Sequence, residues 1–236
     1  MPSDYSLKGR LLRAWLARRG ASLVQTIGPE ARHDLALVHE TRERAQLLVQ
    51  DAAALQILAC VRAARPLGGA MAEAGVFAGG TARLICEAKG DAPLHLFDVF
   101  ETLQAPPGPA ADTGRAAELR RHFGSVHSPR AAVERLLAPY AGVHVHAGVF
   151  PDTARGLEAE RFAFVHLDLD LEPSTRDALE FFHPRLLTGG IIVGDDYNDA
   201  GVRRAFETYY AGRPDPLIAL PWGQVVAVKA GDDAAS

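Results

Sequence analysis

The chain has 236 residues, of which 48% are hydrophobic and 23% charged, with a formal net charge of −4. That length holds one α/β domain with a modest extension and a real core, and the acidic balance gives no electrostatic case for nucleic acid. Two cysteines without metal spacing, no signal peptide and no membrane-length apolar run point to a cytoplasmic protein with free, buried thiols at Cys60 and Cys86.

In chain order, residues 5–19 place Leu7, Leu11, Leu12, Trp15 and Leu16 on one helical face, ringed by Lys8, Arg10, Arg13, Arg18 and Arg19. A basic amphipathic helix can lie on a membrane, but it more often docks on its own domain or on a second subunit. The expectation is no membrane contact, with a homo-oligomer left open. HETRERAQLLVQDAAALQILACVRAARP follows as a second helical region, ended by Pro66 and Gly68–Gly69.

AMAEAGVFAGGTARLICEAKG reads as a strand that turns through glycines into a helix. Gly75, Gly79 and Gly80 let the backbone turn tightly and approach a ligand. LHLFDVF is a second strand ending in Asp98, about 20 residues on, where an acidic residue grips a ribose diol. Together they argue for an adenosine-containing cofactor. Glu73 helps to choose which. A dinucleotide pyrophosphate needs a helix N-terminus free of negative charge, whereas the sulfonium and ammonium of S-adenosylmethionine suit a nearby carboxylate. Phe77 also stands where the dinucleotide fingerprint has glycine. The turn therefore favours S-adenosylmethionine over NAD.

TLQAPPGPAADTG, Thr102 to Gly114, is rich in Pro, Gly and Ala without periodicity and is expected to be a mobile lid. RAAELRRHF and PRAAVERLLAPY are helical. VHVHAGVF is a third strand, ending near Gly148; His144 and His146 read as packing residues and Phe150 as a neighbour of adenine.

The stretch from Phe164 to Tyr197 then reads as strand, helix, strand, with Ser174 as the helix N-cap. Each strand ends in two carboxylates, Asp168 with Asp170 and Asp195 with Asp196. A βαβ unit sets its strands parallel, so both pairs fall at the carboxyl edge of the sheet, where open α/β sheets bind ligands. Gathered carboxylates without cysteine or clustered histidine favour magnesium, manganese or calcium over zinc. Strand alternation sends neighbouring side chains to opposite faces, so Asp195 and Asp196 can converge only if the chain bends there, and Gly194 allows it. AGVRRAFETYY is an amphipathic helix, and PLIALPW and QVVAVK form an antiparallel hairpin that closes one side of the sheet.

EAGVFAGGTA, FDVFETL, GVFPDT, HLDLDLEPST and GGIIVGDDY, in this order, resemble the macrocin O-methyltransferase (TylF/MycF-like) family, from about Thr41 to Lys229. The resemblance implies an α/β fold, a Rossmann-like three-layer sandwich with a seven-stranded, mostly parallel sheet and an antiparallel last strand. Residues 1–66 would be an N-terminal helical extension and 67–230 the methyltransferase domain. It implies an S-adenosylmethionine-dependent O-methyltransferase assisted by Mg2+ (or Mn2+), acting on a small-molecule hydroxyl, a sugar of a natural product. Carried over, Glu73 and Gly75 belong to the methionine-side pocket and Asp98 to the ribose, while Gly148, Val149 and Phe150 border the adenine. Asp168, Asp195 and Asp196 match the metal carboxylates, with Asp168 also the base; the residues alone leave Asp170 and His166 as alternatives. Glu172 stands where the family commonly has tyrosine, ETLQ replaces EGLP after Asp98, and Leu171 occupies the place of the catechol-type lysine. An NAD-dependent oxidoreductase and an inactive cofactor-binding scaffold are the competing readings.

Overall fold

A computed structural model describes residues 11, 15, 16, 18, 27–103 and 129–231. Among these, seven strands form one sheet in the order β3-β2-β1-β4-β5-β7-β6. They are β1 (Ala70–Ala74), β2 (Leu94–Asp98), β3 (Val143–Ala147), β4 (Phe162–Leu167), β5 (Leu186–Gly194), β6 (Leu217–Ala219) and β7 (Val225–Val228). The first five are parallel, and β7 runs antiparallel between β5 and β6. The helices are α1 (Pro29–Arg44), α2 (Asp51–Ala64), α3 (Gly80–Ala88), α4 (Arg130–Leu137), α5 (Glu172–Phe182) and α6 (Ala200–Tyr210). This is the expected three-layer sandwich with its antiparallel last strand.

Period-two alternation divides the strands between two cores. Met71, Leu96, Phe164, Ile191 and Val193 face α1 to α4, where Val38, Ile57, Leu84 and Val133 meet them. Ala72, Phe97, Val165 and Ile192 face α5 and α6, against Leu179, Phe182 and Phe206. Helices α1 and α2 thus share the domain's own core. Cys60 and Cys86 are buried and free, and burial pushes the Cys86 thiol up to about 12, so both behave as packing groups.

Local structure departs from the sequence reading in two places. The second helical region is two helices, α1 starting at Pro29 and α2 at Asp51, with an irregular link between them. The Arg42 guanidinium donates to the Leu47 and Val49 carbonyls and to Asp51, satisfying oxygens that a continuous helix would have bonded internally. Ser174 is not the cap of α5. The helix begins at Glu172 with Pro173 in its first turn, a position where the missing N–H costs nothing, and Ser174 lies inside that turn, buried. The N-terminal helix is described only at Leu11, Trp15 and Leu16, which are helical; the rest of it, the helix at RAAELRRHF and the lid segment beyond Leu103 lie outside the described residues. Among the described residues no helix is long and apolar enough to cross a membrane.

Candidate active site

The carboxyl ends of β1, β2, β4 and β5 open into one cavity of about 700 Å³. Backbone bonds tie these ends together. Gly75 N–H donates to Phe97 O at 2.9 Å, Asp168 N–H to Ala74 O at 2.8 Å and Asp195 N–H to Leu167 O at 2.8 Å. Four non-glycine residues have positive φ among the described residues, Phe77 (50°), Phe100 (43°), Asp170 (57°) and Asp196 (52°), and all four line this cavity. Such backbone persists only where surrounding contacts enforce it, and it collects at functional sites.

Asp98 enforces two of them. Its Oδ2 accepts from Val76 N–H at 2.7 Å and Phe77 N–H at 2.8 Å, and its Oδ1 accepts from Phe100 N–H at 2.8 Å. The residue expected to grip a ribose is therefore also the brace of the glycine turn; two carboxylate oxygens have about four acceptor positions, so one remains for a hydroxyl. Gly75, at φ 89°, lies so close to β4 that an added Cβ would stand 1.7 Å from the Asp168 carbonyl oxygen. Gly148 and Phe150, expected from the sequence to border the adenine, line the cavity. Val149 does not; it packs with Leu171 and Val99.

Glu73 lies behind the wall. It faces the α1–α4 side with Met71, is fully buried, and pairs across the strands with His166, whose Nδ1 is 3.0 Å from Glu73 Oε1. Burial raises the Glu73 pKa. Burial alone would depress that of His166, but the bond and charge of Glu73, with Asp168 and Asp195 beyond, raise it. The imidazole is thus a buried partner of Glu73 beneath the carboxylates. It does not line the cavity, which removes it as a direct base for a bound acceptor.

Oxygens of Asp168, Asp170 and Asp196 lie within 4.8 Å of one another. The bend anticipated for the Asp195–Asp196 pair is present as the left-handed backbone of Asp196. Asp170 reaches the group by the same device: β4 ends at Leu167, so Asp168 and Asp170 are no longer related by strand alternation. Burial first, then the neighbouring charges, raise Asp168 well above the ordinary carboxylate value, against the pull of His166. Burial and a hydrogen bond with Asp196 push Asp170 up to about 7. Asp195 lines the same cavity, and its pKa is also raised by burial. Its Oδ2 is buried without a hydrogen-bond partner. A hard divalent cation fits the Asp168, Asp170 and Asp196 group, where it relieves the repulsion; Asp195, expected as a ligand from the sequence, lies outside that group.

Sequence reasoning missed the opposite wall. Leu48, Val49 and Gln50 come from the α1–α2 link, which the unbroken helical periodicity concealed, Ala53 from the first turn of α2, and Asn198 and Trp222 from the turns around β5 and β7. The only signal for Trp222 was its place in a Pro-Trp-Gly turn. Its indole Nε1–H donates to Gln224 Oε1 at 3.2 Å. An indole can only donate, so this bond fixes the amide; Gln224 Nε2, itself without a hydrogen-bond partner, stays near Asp195 and helps to lower its pKa against burial.

A sequence model of the family described as Macrocin-O-methyltransferase (TylF) matches residues 47–225, from the α1–α2 link to the start of β7. The chain belongs to that family. A relative from Streptomyces olivaceus, 8-demethyl-8-(2,3-dimethoxy-alpha-L-rhamnosyl)-tetracenomycin-C 4'-O-methyltransferase, is 34% identical over 161 residues, 63% of this chain and 61% of that protein. The match thus spans less than two thirds of the relative's length. Among solved structures, the O-methyltransferase NovP superposes with a TM-score of 0.60 at 26% identity, covering 75% of this chain and 78% of NovP. CalS11, a calicheamicin methyltransferase, has a TM-score of 0.54 at 18% identity, covering 94% and 93%, and shares the fold. In this TylF-family chain the braced glycine turn and the carboxylate cluster stand on adjoining strand ends of one cavity.

Proposed function

We propose that this chain is an S-adenosylmethionine-dependent O-methyltransferase that acts, with a divalent cation (Mg2+ or Mn2+), on a hydroxyl of a small molecule, a sugar of a natural product. The observation that carries the reading is the single cavity in which a TylF-family chain joins the Asp98-braced turn to the aspartate cluster. The family and its relatives do not favour the oxidoreductase alternative, and the set of mutually repelling aspartates has no use in an inert scaffold.

In this reading Asp98 offers its remaining acceptor position to the ribose diol, Gly75 lets the turn approach the methionine side, and Gly148 and Phe150 border the adenine. Asp168, Asp195 and Asp196 would hold the cation, with Asp170 as a fourth carboxylate beside Asp196. A cation there would supply Lewis acidity to an acceptor oxygen that is otherwise barely acidic. Asp168 takes the hydroxyl proton on a carboxylate oxygen; the burial that raises its pKa makes the ionised form a stronger acceptor. Glu73 acts from behind, as the buried partner of His166 beneath the cluster. The cavity walls contribute alignment and exclusion of water.

The test is methyl transfer from S-adenosylmethionine to sugar-bearing acceptors, together with calorimetry of S-adenosylmethionine and NAD. Binding of NAD without binding of S-adenosylmethionine overturns the reading.

A further inference from the structure

The adenine side of the cavity is backed by three histidines that take no part in the proposed transfer. His144 and His146 alternate along β3, and the strand register sets His144 opposite His95 and His146 opposite Phe97 on β2. These side chains share the sheet face that looks toward α5, and their rings form a ladder. The His95 ring lies 5.0 Å from that of His144 and 5.3 Å from that of His146, and His146 stacks on Phe97 at 4.7 Å. His95 Nδ1 and His146 Nε2 are 3.0 Å apart. The ladder ends at the cavity. Phe97 and Phe150 both line it, with their rings edge to face at 5.4 Å. Gly148, two residues beyond His146, lines it too and donates its N–H to Asp98 O at 2.9 Å.

A contact between two imidazole nitrogens needs one to donate and the other to accept, so it forms only while at least one ring is neutral. A second proton turns the acceptor into a donor and sets two cations side by side. The surroundings oppose even the first. His95 is buried between the other two imidazoles, and burial, then the charges of His146 and His144, lower its pKa to about 4. Burial, then His144 and Arg130 of α4, lower that of His146. Arg130 is itself bonded to Glu134 at 2.6 Å. On the 3-10 turn Asp152–Ala154, which packs against β3, Asp152 is paired with Arg155 at 2.8 Å. Strand β4 and helix α5 meet the ladder with the uncharged rings of Phe162 and Phe182. The favourable arrangement is therefore present above the ordinary histidine value of 6.5 and is lost as pH falls toward 4.

We propose that the ladder of His95, His144 and His146 is a pH-responsive backing of the adenine wall. Neutral, it holds Phe97 and Phe150 in place for the cofactor; protonated, its rings part and the wall loosens. The inference rests on the cofactor side of the methyltransferase reading above and adds a regulation to it: acid releases S-adenosylmethionine.

The experiment measures two quantities on the full chain between about pH 8 and about pH 5: hydrogen exchange of residues 143–150, corrected for the intrinsic rate, and S-adenosylhomocysteine affinity by calorimetry. In the wild type, β3 should open about tenfold more often at the acid end, and the ligand should weaken about threefold or more. His146→Phe extends the Phe97 stack without a titrating ring and should remove most of both effects. His144→Gln, at an exposed position that the fold tolerates, should reduce them in the same direction and serves if His146→Phe does not fold. These variants also separate the ladder from the aspartates, of which Asp170 titrates in the same range. Exchange that ignores pH overturns the inference, and so does a pH dependence that survives in both variants. Exchange that responds while affinity does not overturns it too, leaving the ladder as a stability element alone. Failure of S-adenosylhomocysteine to bind at about pH 8 is a different result: it overturns the methyltransferase reading and this inference with it.

Discussion

Removal of the Asp98 carboxylate separates a ligand contact from a structural brace. Three backbone N–H groups bond to it, at 2.7, 2.8 and 2.8 Å, and two of them belong to Phe77 and Phe100, residues with left-handed backbone. A hydrogen bond to a charged group contributes about 1.5–3 kcal/mol net, and water at the cavity wall can replace part of it. With about 1 kcal/mol lost per N–H, Asp98→Ala should destabilise the free protein by about 3 kcal/mol. It should also weaken S-adenosylmethionine about 100-fold, because the ribose contact and the shaped turn go together, and a factor of 100 is about 2.7 kcal/mol. Asp98→Asn keeps one acceptor oxygen but turns an NH2 group toward the remaining donors, so it should lose about 2 kcal/mol. Urea unfolding gives the stabilities and calorimetry the affinities. If Asp98→Ala unfolds at the wild-type midpoint yet binds the cofactor poorly, Asp98 is a ligand only and the brace argument fails. A destabilised variant with unchanged affinity would refute the ribose assignment instead.

Other expectations concern the aspartates and their support. Asp195→Ala should abolish nearly all methyl transfer and weaken magnesium at least 100-fold, yet melt no lower than wild type after chelation; full turnover in the metal-free enzyme would end the cation reading. Because folding raises the Asp170 pKa from an ordinary value near 3.8 to about 7, the folded chain holds a proton that the unfolded chain has released, so stability falls as pH rises from about 4 through 7. Asp170 is an exposed residue, so after solvent screening Asp170→Asn should recover only about 1 kcal/mol at pH 8 and nothing at pH 4, read by thermal melts in chelator. Gln224→Leu should lower magnesium affinity about tenfold with S-adenosylmethionine affinity intact, since it removes the amide that Trp222 aims at Asp195. Equal metal affinity in the two proteins would reduce Gln224 to a packing residue.

Much of the frame was legible because it depends on local pattern. The run Ile191, Ile192, Val193 and the apolar stretch before Asp168 mark buried strands, and the two carboxylate pairs follow them at the edge where parallel strands present their ends. What stayed hidden depends on register between distant segments. Nothing near Glu73 announces that β4 brings His166 opposite it, so a carboxylate beside a glycine turn looked like a ligand group when it is a buried partner. The α1–α2 link was concealed because apolar spacing runs through it, while the guanidinium that stabilises the break comes from Arg42, whose role no periodicity reveals. The left-handed Asp170 and Asp196 likewise bring together side chains that strand alternation alone would separate.

The missing Cβ of Gly75 has a consequence for binding thermodynamics. With only 1.7 Å between the place of that atom and the Asp168 carbonyl oxygen, the turn and the first aspartate touch backbone to backbone, and the Asp168 N–H bond to Ala74 O locks their spacing. A ligand that displaces the turn therefore displaces Asp168, with no side chain between them to absorb the motion. On the proposed function, cofactor and cation would then bind as coupled ligands: whatever factor one adds to the affinity of the other is returned in full. The order in which they arrive changes the kinetics of loading, but not the stability of the loaded enzyme.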